Sequence, residues 1–206
     1  MRLFIALDID EVIRARIGKF VDGVSNFAPD ARWVKLESLH VTLKFIGEKP
    51  EEFLNNLKQS LSLVQSPQFT VNFQGVGCFP TPKSARVFWI GIHAGPELQQ
   101  LAAAIDDTTS GIGIPKEERA FSPHLTLARK SGASAAPHRQ KGDQAGNAFQ
   151  RLQEKLAAMP PPEFGTMTAR EFFVYQSQLS RSGSRYSKLE RFALEGHGAA
   201  EHSPKS

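Results

Sequence analysis

The four-residue phrase His40-Val41-Thr42-Leu43 returns as His124-Leu125-Thr126-Leu127, apolar at the second and fourth places in both copies. A β-strand sends successive side chains to opposite faces, so each copy sets an imidazole and a hydroxyl on one face and an aliphatic pair on the other. A chain that writes this twice is committed to two half-buried strands with polar working faces. Around the first copy, Leu39, Val41, Leu43 and Phe45 alternate with His40, Thr42 and Lys44, the period-two pattern of such a strand. Imidazole gains and loses a proton near neutrality, its unperturbed pKa being about 6.5. Two imidazole and hydroxyl pairs facing each other suit an acid, a base and a clamp on a phosphate. Among the chain's 6 histidines, a repeat in both spacing and residue type says more than either copy alone.

The rest of the pattern surrounds these strands with helices and hairpins. It predicts a strand over residues 1–7, a helix from about 10 to 27, a short strand at 32–35, the first motif strand at 38–46 and an amphipathic helix at about 51–65. A hairpin follows, 69–79 and 86–92 joined through Pro80-Thr81-Pro82-Lys83, then a helix at about 97–110 and the second motif strand at 122–128. Residues 130–147, rich in Gly, Ala, Ser and Gln, read as a flexible loop insertion. A helix at about 148–158 and strands at 166–178 and 185–194 close the fold, and 195–206 read as a disordered tail. The order lacks the regular βαβ rhythm of a doubly wound sheet, which points to an α+β class with mainly antiparallel sheets in two lobes, one motif in each.

Composition narrows the chemistry. With 206 residues, 40% of them hydrophobic, the chain can bury a sizeable core. No stretch approaches the roughly 18 to 20 apolar residues of a membrane span, and Asp8 interrupts the start too early for a signal-peptide core, so a cytoplasmic protein is expected. The net charge of +4 favours polyanionic partners mildly. Cys78 is the single cysteine, expected as a buried, inert thiol. No H-E-x-x-H, H-x-H or cysteine pair exists, and His93, His138, His197 and His202 stand in unrelated contexts, so no metal or other cofactor is expected. Ser122-Pro123-His124 lacks the G-x-S-x-G elbow of a serine nucleophile, and the pairs Gly75/Gly77 and Gly111/Gly113 are no nucleotide-binding fingerprint.

Five segments together resemble a known family. They are Met1 to Leu7, Trp33-Val34-Lys35 running on through Leu39 to Gly47, Arg86 to Gly91, Phe121 to Arg129, and the closing turn from Gln178 to Tyr186. The chain is similar over about residues 1–194 to the 2H phosphoesterases, and among them to the LigT-like RNA 2′,3′-cyclic phosphodiesterases, also called 2′-5′ RNA ligase-like proteins. The resemblance implies a single bilobal domain over 1–194, two pseudo-symmetric lobes with helices outside, and a motif on each wall of a central cleft. It implies that the enzyme opens a 2′,3′-cyclic phosphate on an RNA end or nucleotide to a 2′-phosphomonoester, as a monomer and without a metal. Carried over to this sequence, His40 is the proton donor, His124 the proton acceptor, and Thr42 and Thr126 hold the phosphate. The near-identical motifs do not themselves say which histidine is the acid.

Five further residues are candidates for substrate binding. Arg129 is a phosphate ligand only if the strand ends or bulges at Ala128, because parity from His124 otherwise puts it on the opposite face. Lys44 shares the face of His40 by parity and can attract an RNA backbone, the alternative being a solvated strand-end lysine. Tyr186, Phe45 and Trp33 can stack a base, although the parity of Phe45 with Val41 and Leu43 points to core packing. The same two histidines could also join RNA ends through a 2′-5′ bond, and a non-catalytic RNA-end-binding protein is the alternative outside enzymes. Binding alone does not require two titrating groups.

Overall fold

The computed structural model describes residues 1–131, 149–180 and 183–196. β1 (Arg2–Leu7) is flanked by β3 (Val41–Glu48) and β8 (Glu171–Ser180), and β9 (Gly183–Ala193) completes a four-stranded sheet in the order β3-β1-β8-β9. The second sheet contains β2 (Ala31–Trp33), β4 (Phe69–Phe79), β5 (Val87–Ala94), β6 (His124–Lys130) and β7 (Glu163–Ala169), in the order β2-β6-β5-β4-β7. Every pairing in both sheets is antiparallel. Four α-helices complete the described fold: α1 (Glu11–Val24), α2 (Phe53–Leu61), α3 (Pro96–Ser110) and α4 (Gln150–Ala157). The class is α+β, and each sheet carries one motif strand.

The two sheets are not simply the two halves of the chain. β2 precedes the first motif yet pairs with β6, and β8 and β9 return from the end of the chain to pair beside β1. Helices cross in the same way, α1 packing on β7 and α3 on β3. One continuous apolar cluster therefore runs from Leu3 to Leu194 and includes the inward residues of both motif strands. Val41, Leu125 and Leu127 are almost wholly buried there. A one-residue slip of either strand would expose such residues, each contributing about 2 kcal/mol, and bury the histidine and threonine instead. The apolar alternation thus fixes which face the motifs present.

Three expectations from sequence change in detail. The strand expected over 166–178 is two strands, β7 and β8, separated at Arg170, because the chain leaves one sheet and enters the other there. No glycine or proline marks that crossing. Cys78 is half-buried, with its thiol pKa pushed up by burial against a hydrogen bond from Gln153. Glu195, expected in the tail, donates its backbone N–H to the Ser66 carbonyl at 2.9 Å and accepts from the Gln68 N–H at 2.8 Å. Most of the expected 130–147 insertion, and the tail beyond Gly196, lie outside the described residues.

Candidate active site

Both motif strands break register at the same place. β3 pairs Thr42 with Ala6 but Lys44 with Ile5, and β6 pairs Thr126 with Trp89 but Ala128 with Phe88, which leaves Leu43 and Leu127 as extra residues. Such a β-bulge reverses the parity of everything after it. Lys44 and Ala128 consequently turn into the core, and Phe45 and Arg129 turn to the face that carries the histidines and threonines. Their cross-strand partners agree: Phe45 lies opposite Phe4, two residues from Ala6, and Arg129 opposite Val87, two residues from Trp89.

The condition set for Arg129 is therefore met, and the guanidinium lies within electrostatic reach of both histidines and of Tyr186. The expectations for Lys44 and Phe45 are reversed. Lys44 is 2% exposed and faces away from His40, its ammonium held by Asp106, by the Pro115 carbonyl at 2.8 Å and by Glu117 at 3.4 Å. Phe45, instead of packing in the core, is 59% exposed on the cleft face. Trp33 is also turned inward, its indole N–H donating to the Ala28 carbonyl at 3.2 Å and its ring set edge-on to Phe88. It is no stacking platform for a base.

The two imidazoles are held in the same way. Nδ1 of His40 lies 2.8 Å from the Ser38 carbonyl and Nδ1 of His124 lies 2.8 Å from the Ser122 carbonyl. A carbonyl only accepts, so Nδ1 carries the proton in each ring and the neutral form leaves the Nε2 lone pair free for the cleft. This shared contact extends the repeat one step backwards, to Ser-x-His-x-Thr-Leu. Thr42 and Thr126 are half-buried beside them.

Their surroundings differ. The His40 ring sits in an aromatic box, 4.8 Å from Phe4, 5.2 Å edge-on from Tyr186 and 6.1 Å from Tyr175. Burial pushes its pKa down to about 4; the hydrogen bond to Ser38 opposes this, Arg129 and His124 add to it, and Asp8 opposes it. His124 meets one close ring, Phe79, edge-on at 5.1 Å. Its pKa is lowered too, by burial and by Arg129 against the Ser122 hydrogen bond. Asp8 itself stays ionised: burial raises its pKa, but the hydrogen bond from Lys188 and the nearby Arg14 bring it below the ordinary value. Phe79 stacks on Trp89, whose ring lies over Gly77 so closely that a Cβ there would come within 2.3 Å.

Of the residues expected from sequence, Tyr186 packs edge-on to the His40 ring, Arg129 acts on both histidines, Phe45 shares the face of Thr42 by register, and Lys44 and Trp33 turn inward. Phe4, Tyr175, Phe79 and Asp8 went unnamed. A signal existed for Phe4, since Phe4 and Ala6 alternate with Leu3, Ile5 and Leu7 in β1 and form a separate small cluster with Phe173 and Tyr175. Tyr175 reaches the site only because β8 crosses between sheets.

Paired imidazoles with matched tautomers, each followed by a hydroxyl and joined by one guanidinium, make this a phosphoesterase-like site of the two-histidine class. The chain belongs to the 2′-5′ RNA ligase superfamily, whose family model matches residues 10–176. It is 32% identical over 192 residues to an RNA 2′,3′-cyclic phosphodiesterase of Archaeoglobus fulgidus, covering 93% of this chain and 99% of that one. An Escherichia coli K12 protein of the same description is 30% identical over 196 residues, covering 94% and 96%. In fold the chain is similar to E. coli LigT in its complex with 3′-AMP, with a TM-score of 0.72, 30% identity, and coverage of 94% of this chain and 97% of that one.

Proposed function

We propose that this cleft hydrolyses terminal 2′,3′-cyclic phosphodiesters of RNA to 2′-phosphomonoesters, by acid–base catalysis between His40 and His124 and without a metal ion. The observation that carries this reading is the pair of backbone-fixed tautomers, each of which leaves Nε2 as the proton-exchanging atom, on two rings near enough for one to act on the other electrostatically. In-line displacement at phosphorus needs a base on the attacking side and an acid on the leaving side, each contributing about 10²- to 10⁴-fold. His124 takes a proton from water as the oxygen bonds to phosphorus, and His40 gives a proton to O3′ as the P–O3′ bond breaks. Thr42 and Thr126 donate to the non-bridging oxygens, and Arg129 balances the charge that gathers on them.

The donor and acceptor labels follow the family resemblance. A bound phosphate raises the pKa of both imidazoles, and at His40 the Asp8 carboxylate opposes, without overcoming, the burial that holds the ring neutral in the free protein, so His40 takes up its proton together with the substrate. The relatives described as RNA 2′,3′-cyclic phosphodiesterases, and the 3′-AMP held by the E. coli structure, support the same substrate class.

An oligoribonucleotide ending in a 2′,3′-cyclic phosphate, incubated with the protein and a chelator, is expected to yield the 2′-phosphate. His40→Ala and His124→Ala are each expected to lose about 10³- to 10⁴-fold in kcat. A 3′-phosphate product, or undiminished turnover in either variant, would overturn the mechanism, and dependence on added metal would overturn its metal-free form.

A further inference from the structure

Arg32, on β2, lies directly opposite Arg129 in the antiparallel register. Residues opposite one another share a face, so Arg32 stands on the same surface as the catalytic pair, one strand spacing of about 5 Å beyond Arg129. The orientation is enforced locally. Trp33 packs inward against Phe88 and bonds the Ala28 carbonyl, and Val34 donates to the Leu127 carbonyl at 2.8 Å beside the bulge, which leaves Arg32 outward. Like charges directly opposite in a sheet are unfavourable. Among the described residues neither guanidinium has an ion-pair partner, so nothing there offsets that repulsion. On the other side of Arg129 the neighbour is the uncharged Val87.

We propose that Arg32 binds a second phosphate, the phosphodiester one nucleotide upstream of the reacting end, and that the RNA leaves the cleft over the β2 edge. This rests on the reading of the cleft as a site for a terminal RNA phosphate. Arg129 serves the reacting phosphate and Arg32 the next one, so the protein discriminates an RNA end from a free cyclic nucleotide. An arginine that merely blunts an exposed sheet edge would make no such distinction.

The test is a binding measurement, independent of turnover. Wild type is expected to bind the dinucleotide ApA bearing a terminal 2′-phosphate about tenfold more tightly than adenosine 2′-phosphate. Arg32→Gln should erase that preference and leave the mononucleotide unchanged, and the logarithmic salt slope for the dinucleotide should shrink by about 0.7. Replacing the internal linkage with an uncharged methylphosphonate should reproduce the loss in wild type and add nothing to Arg32→Gln. Arg32→Lys, which keeps the charge, should retain part of the preference. Equal weakening of both ligands by Arg32→Gln, no chain-length preference in wild type, or full affinity for the methylphosphonate would each overturn the proposal. If the binding pattern holds while cyclic ends stay unopened, the reaction assigned above fails and the second phosphate site stands.

Discussion

β3 and β6 are the same strand up to the bulge and different strands after it. Each holds its histidine by a carbonyl two residues earlier, sets its threonine on the cleft face and spends a leucine on an unpaired position. After the bulge, β3 sends Lys44 inward and Phe45 outward, whereas β6 sends Ala128 inward and Arg129 outward. One wall of the cleft is therefore aromatic and the other cationic. The symmetry of the motifs supplies two identically held imidazoles, and the asymmetry of the next two residues makes the two walls chemically unlike. The inward pair differs as much: Lys44 ties its strand to α3 and the segment leading to the second motif, and Ala128 fits between Trp33 and Phe88.

Exchanging the inward residues gives the largest effect. Removing one partner of a buried ion pair costs roughly 3 to 5 kcal/mol; Asp106 keeps 20% exposure and can be rehydrated, so Lys44→Ala is expected to cost about 3 kcal/mol. The reverse change, Ala128→Lys, places an ammonium against two aromatic neighbours in a fully buried position and should cost more, to the point of preventing folding. Urea unfolding of both variants checks this. An unchanged midpoint for Lys44→Ala would show that the clasp contributes nothing to the join between the two motif strands.

Next in size is the response to acid. Native His40 takes up its proton only near pH 4, whereas the unfolded chain does so near 6.5. The unfolded state thus binds more protons in that window, so stability is complete above pH 6.5 and falls by about 3 kcal/mol as pH drops toward 4. His40→Asn should remove most of that loss, and His124→Asn, at a more open position, should remove less. Urea titrations at pH 7.5 and pH 4 measure both. Equal behaviour of the two variants would erase the difference drawn here between the aromatic and cationic walls.

How much of this was legible in the sequence turns on the bulge. Period-two alternation placed His40, Thr42, His124 and Thr126 on working faces, and burial of Val41, Leu125 and Leu127 is the physical reason it succeeded. Beyond Leu43 and Leu127 the same rule pointed the wrong way for Lys44 and Phe45, because a bulge adds one residue without a glycine or proline to announce it. For Arg129 parity left the face conditional on a strand end or bulge, and the bulge decides it outward, whereas Lys44 shows that an inward cation can find its partner on a distant helix. The crossing of β2, β8 and β9 between sheets depends on long-range pairing that no local pattern records. The aromatic box around His40 was lost with it.

The outward arginine comes third. Arg129→Gln is expected to lower kcat/KM by about 10²-fold, the usual size for removing one charged donor to a developing oxyanion. Because its charge holds down the pKa of both histidines, the variant should also shift the pH profile of turnover upward. A loss of rate without that shift would mean that Arg129 acts only through packing.

The smallest effect belongs to its counterpart. Phe45 is 59% exposed with its ring 6.3 Å from Phe4, so truncation removes little buried surface and should change stability by less than about 0.5 kcal/mol. A ring that costs the free protein so little to lose, yet stands beside the histidine and threonine of its strand, is placed to meet a ligand. Stacking of a base on an aromatic side chain is worth about 1 to 3 kcal/mol; at so open a position the lower figure applies. Phe45→Ala should therefore raise KM about fivefold for a cyclic-phosphate RNA end and leave kcat unchanged, in contrast to Arg129→Gln, which lowers kcat. Uniform losses in both parameters for both variants would mean that the two outward residues serve one function, and the bulge would then be a device for closing the cleft rather than for making its walls unlike.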